Sequence, residues 1–419
     1  MTRTKPATQF CPATVVLAAC SWAAQAATPG ACAGLPRLSA ITPAGFCVGI
    51  IAEGIKSPRA VQPLPNGDLL VADMGGWQPD RGSVWRLRKT SAGYEKTQLF
   101  TGLDRPNSIV LGPDGRVYVG VVKRIARFDP AASSPQLEDV IGGAAATAPL
   151  PGTGRHLLTA FLFDRDNNLI VNVGSTGDHC ESAEGAAPHP GRVCAESEGT
   201  AARGAIRKYV MRWPQGVPLG WENYALGLRN SMAMAVDRRD GALWQGENAR
   251  DAIGAAMPRL KNDNELPHDE LNRIVRGGHY GWPYCYDNGL PSPEYAAADC
   301  RHYRAPARLL PAHAAPLGMV FYGGKGFPAA FDNSLLISFH GYRQHGHRIV
   351  ALMPDAKGAP LGKLVDLVRR SAGKPPTLGA PVDIKVGPNG DVYIADDHTG
   401  RVLLLHYAAP AQGQNTHSH

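Results

Sequence analysis

The segment PNSIVLGPDGRVYVGV, residues 106–121, has the pattern of a β-hairpin. An apolar run precedes Asp114-Gly115, and a run of β-branched and aromatic residues follows it. Asp-Gly between two such runs is one of the strongest short-range signals for a tight hairpin turn. The segment therefore predicts two antiparallel strands that turn at Asp114-Gly115.

The same pattern of an apolar strand, a turn rich in Gly, Pro, Asp or Asn, and a second strand recurs along the chain. The six copies are residues 58–73, 106–121, 157–175, 229–248, 315–341 and 380–397. The early copies begin about 50 residues apart, which is the scale of one four-stranded blade. The repeats predict an all-β fold, a six-bladed β-propeller over residues 32–408. An irregular β-sandwich is the alternative, but it does not explain hairpins repeated at blade spacing.

Two gaps between the repeats are long, residues 177–221 and residues 249–315. We expect them to form long loops over one face of the propeller, where function is usually found. Residues 409–419 are expected to be a flexible C-terminal tail. The content of 48 Gly and 35 Pro in 419 residues suits many short strands joined by tight turns.

The net charge of +7 is spread along the chain without a long Lys/Arg run. This distribution indicates a solvated surface and not a nucleic-acid footprint. No segment after the N-terminal region is apolar enough to cross a membrane.

The N-terminus has the features of an export signal. Arg3 and Lys5 precede an apolar run, and a small-x-small cleavage site ends at Ala26. We predict that residues 1–26 are a signal peptide and that the protein is periplasmic or secreted. The sequence LAAC ending at Cys20 also resembles the lipobox of bacterial lipoproteins, which would anchor the protein through a lipid on Cys20.

The cysteines agree with export. Besides Cys11 and Cys20, six cysteines form three local pairs, Cys32/Cys47, Cys180/Cys194 and Cys285/Cys300. Each pair encloses a loop of about 15 residues, where a disulfide contributes roughly 3 kcal/mol. Six cysteines allow fifteen pairings, so other connectivities stay open. A zinc site is the other alternative, but the chain has no C-x-x-C.

A propeller places polar residues at the mouth of its channel, just before the first strand of a blade or just after the second. The residues at such positions are Asn107, His156, Arg229, Asn230, His340, Tyr342, Arg343, Asp396, Asp397 and His398. A neutral imidazole at His156 is a candidate general base. Arg229 offers five donors in a rigid fork that suits carboxylates and quinone oxygens. The alternatives are a structural histidine and an Arg-Asn pair that caps a turn.

Asp269-Glu270 and the carbonyls around them are candidate ligands for a hard cation, which prefers oxygen. No EF-hand spacing is present, and a solvated acidic turn is the alternative. The chain has no G-x-S-x-G, H-E-x-x-H, P-loop or dinucleotide fingerprint, so hydrolase and nicotinamide chemistry lack their usual marks. It has no C-x-x-C-H for a c-type haem, so electrons from a redox reaction must leave to another carrier.

Two segments in order carry a family resemblance, GLRNSMAMAVDRRDGALWQGENARD at residues 227–251 and PHDELNRIVRGGHYGWPYC at residues 267–285. They resemble the soluble sugar dehydrogenases that use pyrroloquinoline quinone (PQQ), of the glucose/L-sorbosone dehydrogenase type. The resemblance covers residues 46–405. The Arg-Asn pair, DELN and GGHYGWP are its specific motifs.

The resemblance implies a propeller with PQQ over the channel mouth. His156 matches the base that takes the hydroxyl proton at the sugar's C1, while hydride passes to C5 of PQQ. Arg229 and Asn230 match the pair that polarises the quinone oxygens. PQQ carries three carboxylates and therefore needs cationic partners.

The resemblance also implies calcium, which acts as a Lewis acid on the quinone. The calcium beside PQQ is held in the family by two backbone carbonyls, which here fall at Ala249 and Arg250. Glu270 and Tyr280 match a further structural calcium site. The family has glycine-proline where this chain has Ala249-Arg250, so the turn differs.

Glucose-type members grip PQQ carboxylates with two arginines just before the last repeat. Here that stretch is GAPVDIKVGP and has neither, as in the sorbosone-like branch. We expect Arg343 and His340 to supply the compensating charge, with Asn107 as a further cofactor-binding residue.

The predicted function is PQQ- and calcium-dependent oxidation of a sugar or sugar aldehyde of the aldose or sorbosone type, with a cytochrome or quinone as electron acceptor. Two alternatives remain. One is a non-enzymatic propeller that binds a partner through its mouth. The other is a metal-dependent lactonase that recruits Glu247, Asn248 and Asp397.

Overall fold

The computed structural model describes residues 30–144, 150–181, 192–373 and 376–409. The predicted signal peptide, with Cys11 and Cys20, and the tail beyond residue 409 lie outside the described residues. Within the described part of the chain, no helix is long and apolar enough to cross a membrane.

Six antiparallel sheets, each of four main strands, form the blades of a β-propeller, as predicted. Blade 1 is Pro58–Pro63, Leu69–Asp73, Gly82–Thr90 and Gly93–Leu103; blade 2 is Ser108–Leu111, Val117–Val121, Arg124–Phe128 and Glu138–Gly142. Blade 3 is Phe161–Phe163, Leu169–Val173, Ala205–Arg212 and Val217–Leu226; blade 4 is Ala233–Val236, Leu243–Glu247, His268–Ile274 and Arg308–Ala312. Blade 5 is Pro316–Phe321, Leu335–Phe339, Arg348–Leu352 and Leu364–Arg370; blade 6 is Pro381–Val386, Val392–Asp396, Arg401–Tyr407 and Phe46–Ala52.

Smaller elements complete the structure. Gly278–His279 adds a parallel strand to blade 3, and Ala40–Ile41 adds an antiparallel strand to blade 5. The remaining elements are the strands Ala31–Cys32, Leu35–Pro36, Cys285–Tyr286 and Leu290–Pro291 and the 3-10 turns Ile253–Ala256, Pro293–Tyr295, Cys300–His302 and Ala329–Phe331.

Each of the six repeats in the sequence is the inner hairpin of one blade. In blade 2 the turn uses Gly115 at φ +76°, a backbone conformation that glycine adopts without strain. All five residues of Val117–Val121 are buried. Second strands are covered on both faces by the neighbouring blades, and this explains their continuous apolar runs.

The ring closes with a strand from the beginning of the described chain. Phe46–Ala52 pairs antiparallel with Arg401–Tyr407, and its Val48 lies opposite Leu405. The pairing supplies the fourth strand of blade 6, whose other three strands come from the end of the described chain.

An acidic residue at the end of the second strand anchors the mouth of three blades. Its carboxylate accepts a hydrogen bond from a backbone N–H of the segment that leads into the first strand. The donors are Ser57 to Asp73 at 2.8 Å, Ala380 to Asp396 at 2.9 Å and Asn230 to Glu247 at 3.1 Å. These bonds fix the segments that carry the candidate site.

The three local disulfides are confirmed: Cys32–Cys47, Cys180–Cys194 and Cys285–Cys300. The two segments expected to be long loops contain outer strands as well as loops, among them Ala205–Arg212 and His268–Ile274. Asp269 and Glu270 lie in the second of these strands and are buried, so the alternative of a solvated acidic turn is wrong.

Candidate functional site

The first strands of the blades surround a central channel with a cavity of about 360 Å³. Arg59 from blade 1, Asn107 from blade 2 and Met232 from blade 4 line it. The segment before each first strand and the end of each second strand lie at the same end of an antiparallel hairpin. The polar residues picked out by sequence therefore gather at one mouth of the channel.

His156 lies in the segment that leads into the first strand of blade 3. Its Nδ1 lies 2.8 Å from the hydroxyl of Ser175, and its backbone N–H donates to the carbonyl of Ser175. A Cβ added to Gly174 would meet the Cβ of His156 at 2.5 Å, so only glycine lets the imidazole sit this close to the second strand.

Hydrogen bonding at Ser175 determines the tautomer of His156. The hydroxyl of Ser175 donates to the carbonyl of Gly177 at 2.6 Å, so its oxygen is left to accept from Nδ1–H of His156. The proton is thereby placed on Nδ1, and Nε2 keeps its lone pair. Burial and the charge of Arg229 lower the pKa of His156 to about 3, so this imidazole is neutral at physiological pH.

Arg229 is buried beside His156, and Ser175 connects the two residues because its N–H donates to the carbonyl of Arg229 at 2.9 Å. The guanidinium ion-pairs with Asp178 and with Asp251, the latter at 3.2 Å. Burial would raise the pKa of Asp178, but a hydrogen bond from His179 and the charge of Arg229 outweigh it and hold that pKa below its ordinary value.

A second bond fixes the other edge of the Arg229 guanidinium, from Nη1 to the carbonyl of Asn248 at 3.0 Å. Its Nε is buried and has no hydrogen-bond partner among the described residues. A buried donor without a partner needs an explanation, and a missing ligand is one.

Asn230 lies next to Arg229 in a network of polar side chains. Its side-chain oxygen accepts from Asn172 at 3.3 Å, and its carbonyl accepts from Asn248. The side chain of Asn248 also donates to the carbonyl of Pro316 at 2.8 Å. Both amides therefore join neighbouring blades at the mouth.

The four residues predicted to bind metal line one small cavity of about 30 Å³: Ala249, Arg250, Glu270 and Tyr280. Arg229 and Glu247 line it too. The carbonyls of Ala249 and Arg250 accept no hydrogen bond within the described ranges. Sequence placed these residues in two separate calcium sites, whereas the fold brings them together.

Within the described residues, neither carboxylate at this cavity forms an ion pair, although Arg229 lines the cavity too. Glu247 and Glu270 lie directly opposite each other in the ladder of blade 4. Burial raises the pKa of Glu247 to about 7, and burial together with the nearby charge of Glu247 raises that of Glu270 well above its usual value. Burial also raises the pKa of Asp269, next in the chain, to about 6. Such groups fit either a shared proton or a bound cation.

A second cluster at the mouth joins Asn107 and His340 through Arg59 and Asp397. Arg59 donates from Nε to Asn107 at 3.0 Å and from Nη1 to Asp397 at 2.7 Å. His340 Nε2 lies 3.0 Å from the other oxygen of Asp397. Asn107 and His340 therefore face the same mouth, as predicted.

Tyr342 covers the outer side of this cluster. Its ring packs edge-on against the imidazoles of His340, His347 and His398, with centroids 5.1, 5.5 and 5.9 Å away. Arg343 points elsewhere, because its guanidinium binds the carboxylate of Asp263 at 2.8 Å. It is the one predicted cofactor-binding residue that joins neither cluster.

Arg59, Asp178 and Ser175 are the site residues that sequence reasoning missed. Arg59 follows Pro58 as Asn107 follows Pro106, so an alignment of the repeats gives the same position for both. Asp178 and Ser175 carry no such signal, since their roles depend on contacts between loops.

Comparison with known proteins supports the resemblance. A family model described as TrAA12-like matches residues 40–408. The chain is 22% identical over 408 residues to the pyrroloquinoline quinone-dependent sugar dehydrogenase of Hypocrea jecorina, covering 87% of this chain and 89% of that protein. It is 27% identical over 197 residues to an uncharacterized protein of Borreliella burgdorferi, and the match covers 44% of this chain and 49%, about half, of that protein.

Two solved structures share the fold. The holo form of the PQQ domain of pyranose dehydrogenase from Coprinopsis cinerea has a TM-score of 0.67 and 20% identity, over 89% of this chain and 98% of that one. The calcium structure of the Trichoderma reesei carbohydrate-active enzyme of family AA12 has a TM-score of 0.66 and 18% identity, over 91% of this chain and 100% of that one. The family match confirms the resemblance to PQQ-dependent sugar dehydrogenases that the motifs indicated.

Proposed function

We propose that this chain, which belongs to the TrAA12-like family, is a PQQ- and calcium-dependent dehydrogenase of an aldose or a sorbosone-type sugar aldehyde. The observation that carries the proposal is the pair of His156 and Arg229 at the channel mouth. A neutral imidazole with a free Nε2 lies next to a buried guanidinium with an unused donor.

The chain's own residues act on the substrate proton. Nε2 of His156 takes the proton of the sugar hydroxyl, or of the hydrated aldehyde, while Ser175 holds the imidazole through Nδ1. Bound PQQ supplies the hydride acceptor, and calcium supplies Lewis acidity at its quinone. Anionic groups bound at the mouth raise the pKa of His156 from its low value in the free protein, which makes it a better base.

PQQ fits the cationic groups of the mouth. We assign Arg229 and Asn230 to the quinone, and Arg59, Asn107 and His340 to the carboxylates. In place of the two arginines that this chain lacks before the last repeat, we assign Arg59, whose guanidinium pairs with Asp397 in the free protein. Arg343, bound to Asp263, stays a prediction as a cofactor-binding residue.

Calcium fits the small cavity beside Arg229. The carbonyls of Ala249 and Arg250 are free to coordinate, and the buried carboxylate of Glu270 lies at the same cavity as Tyr280. Oxygen donors of this kind are the ligands that calcium prefers. We assign all four residues to calcium binding.

Export is proposed as well. Disulfides form and persist in oxidising compartments, and three of them cross-link the described chain. A periplasmic or secreted location with cleavage after residue 26, or a lipid on Cys20, is checked by mass spectrometry of the mature N-terminus.

Titration of the protein with PQQ in calcium buffer tests the proposal, read by absorbance, by thermal stability and by reduction of a dye with aldoses and sorbosone. We expect His156→Gln to bind PQQ like the wild type but to lose turnover by about 10²-fold or more. Arg229→Ala and Arg59→Gln are expected to weaken PQQ binding. If the wild type shows neither a spectral change nor stabilisation with PQQ, the result would count against the proposal and favour a non-enzymatic propeller.

Calcium is tested in the same protein without PQQ. We expect calcium chloride to raise the melting temperature of the wild type and to have little effect on Glu270→Gln, which keeps the shape of the side chain but removes its charge. An equal rise in both proteins would argue against calcium at Glu270.

A further inference from the structure

We propose that a groove beside the channel mouth is the docking site for an acidic redox protein that accepts the electrons of the reaction; this rests on the proposed function. The groove, here called the arginine groove, has a volume of about 620 Å³. It is lined by Arg343, Arg348, Arg369 and Arg370, with Tyr342 and Ile41 also in its wall.

The arginine groove is strongly positive. Four guanidinium groups line it, and none of its lining residues is an aspartate or glutamate. Arg343 pairs with Asp263 at 2.8 Å, and Arg348 and Arg369 share one carboxylate, Asp366, at 3.4 and 3.5 Å. Arg370 has no carboxylate partner in the described part of the chain. Positive charge therefore exceeds negative charge, and a partner with surface carboxylates is attracted.

Two apolar side chains accompany the charges. Tyr342 is 62% exposed and Ile41 is 49% exposed, and both belong to the small set of large hydrophobic side chains on the described surface. A merely solvated basic patch has no need of them. Arginine and tyrosine together are the residues enriched where proteins dock on one another.

The groove begins at the candidate cofactor site. Tyr342 packs on His340, which hydrogen-bonds Asp397, which in turn pairs with Arg59 in the wall of the channel. From Tyr342 the groove runs outward to Arg369 and Arg370, at the end of the outer strand of blade 5. A protein seated there would bring its redox group next to the mouth.

The reaction needs such a partner. Oxidation of a sugar hydroxyl to the carbonyl level releases two electrons and two protons. Two molecules of a one-electron carrier, such as a haem protein, each accept one electron, and the two protons pass to solvent. The chain has no c-type haem motif of its own to take the electrons onward.

A membrane with anionic lipids is the other partner that basic and exposed apolar residues attract. The shape favours a protein. The four arginines line a concave groove, and half of them, Arg343 and Arg348, are only partly exposed. A concave surface accepts a protruding acidic segment better than a flat bilayer.

The test compares acceptors that differ in charge. The holoenzyme reduces mitochondrial cytochrome c, which is basic, or the same protein with succinylated lysines, which is acidic, at low and high salt. A small uncharged quinone serves as the acceptor that needs no docking. We expect the succinylated protein to be reduced faster, and its rate to fall about tenfold or more with salt.

Paired charge reversals locate the site. Arg369→Glu/Arg370→Glu is expected to slow reduction of the succinylated cytochrome about tenfold at low salt and to leave the quinone rate unchanged. The control, Arg88→Glu/Arg212→Glu, reverses two exposed arginines in the third strands of blades 1 and 3, away from the channel, and is expected to change neither rate.

Equal rates for the two double variants would overturn the docking site. Binding to phosphatidylglycerol vesicles that is lost in Arg369→Glu/Arg370→Glu, with unchanged cytochrome rates, would replace it with a membrane site. If the wild type reduces neither the quinone nor a cytochrome, the proposed function fails, and the acceptor site fails with it.

Discussion

His156 shows how neighbouring hydrogen bonds decide the chemistry of one residue. Ser175 gives its proton to the carbonyl of Gly177, and this leaves the imidazole protonated on Nδ1. A histidine on an exposed surface interconverts between the Nδ1-protonated and Nε2-protonated tautomers. A sequence can identify a histidine at the mouth, but it cannot identify the tautomer, because Gly177 lies in a loop whose path is set by tertiary contacts.

The low pKa of His156 makes a prediction about stability and pH. An unfolded histidine takes up a proton below about pH 6.5, whereas folded His156, with a pKa of about 3, stays neutral. The unfolded state therefore binds more protons between these values, and stability falls as pH falls. We expect His156→Gln to lose less stability than the wild type between pH 7.5 and 4.5, measured by urea unfolding. Equal losses would mean that His156 titrates normally.

The buried ion pair of Arg229 and Asp178 makes a second prediction at this scale. Asp178→Ala leaves a guanidinium buried beside an empty space and is expected to cost about 3–5 kcal/mol in unfolding free energy. Asp251 pairs with the same guanidinium but its side chain is 61% exposed, so Asp251→Ala is expected to cost about 1 kcal/mol or less. Chemical denaturation of both variants makes the comparison.

An anionic ligand supplies an additional check on that pair. If PQQ carboxylates or quinone oxygens approach Arg229, PQQ should stabilise Asp178→Ala at least as strongly as it stabilises the wild type. A smaller stabilisation would indicate that Arg229 serves only the fold.

Among the strands, the inner hairpins could be predicted from the sequence and some outer strands could not. The inner hairpins were predictable because turn and strand signals lie within about 20 residues of each other. The strand His268–Ile274 was not, because its sequence HDELNRI is mostly polar. Its burial depends on partners from another strand, such as the hydrogen bond of 3.1 Å from Asn272 to Gln245. Local patterns do not contain such pairings.

One of the disulfides lies next to the candidate site and another lies away from it, so their removal can be compared in a matched pair of variants. Cys180–Cys194 flanks the loop with Asp178, whereas Cys32–Cys47 joins the N-terminal segment to blade 6. Each double Cys→Ser variant is expected to lose roughly 3 kcal/mol of stability. Only Cys180→Ser/Cys194→Ser is expected to weaken PQQ binding, measured by absorbance titration. The same affinity in both variants would show that the loop holds its place without the cross-link.

For the whole molecule, the closing strand determines whether the six blades form one cooperative unit. Ile50 lies in that strand, is 9% exposed and pairs with Leu403. We expect Ile50→Ala to lower the free energy of unfolding by about 2–5 kcal/mol. Ile41→Ala changes the same kind of side chain at an exposed position and is expected to cost about 0.5 kcal/mol or less.

Two probes measure this effect, tryptophan fluorescence and far-ultraviolet circular dichroism. If the ring unfolds as one unit, both transitions shift together in Ile50→Ala. Separate transitions would mean that individual blades unfold independently.

The circular arrangement itself could be predicted from the number and spacing of the repeats. The use of Phe46–Ala52 as the outer strand of the last blade could not, because this strand lies far from Arg401–Tyr407 along the chain. Its sequence, FCVGIIA, has no turn to a partner beside it. Only the completed ring shows where it belongs.

The pairing of Phe46–Ala52 with Arg401–Tyr407 has a consequence during synthesis. The ribosome makes Phe46–Ala52 long before Arg401–Tyr407, so this strand has no partner until the third strand of blade 6 has been synthesised. Two nascent chains at high concentration can each offer that strand to the other's final blade. Rapid overproduction should therefore yield exchanged dimers that contain the same hairpins as the monomer, a by-product that slower translation should reduce.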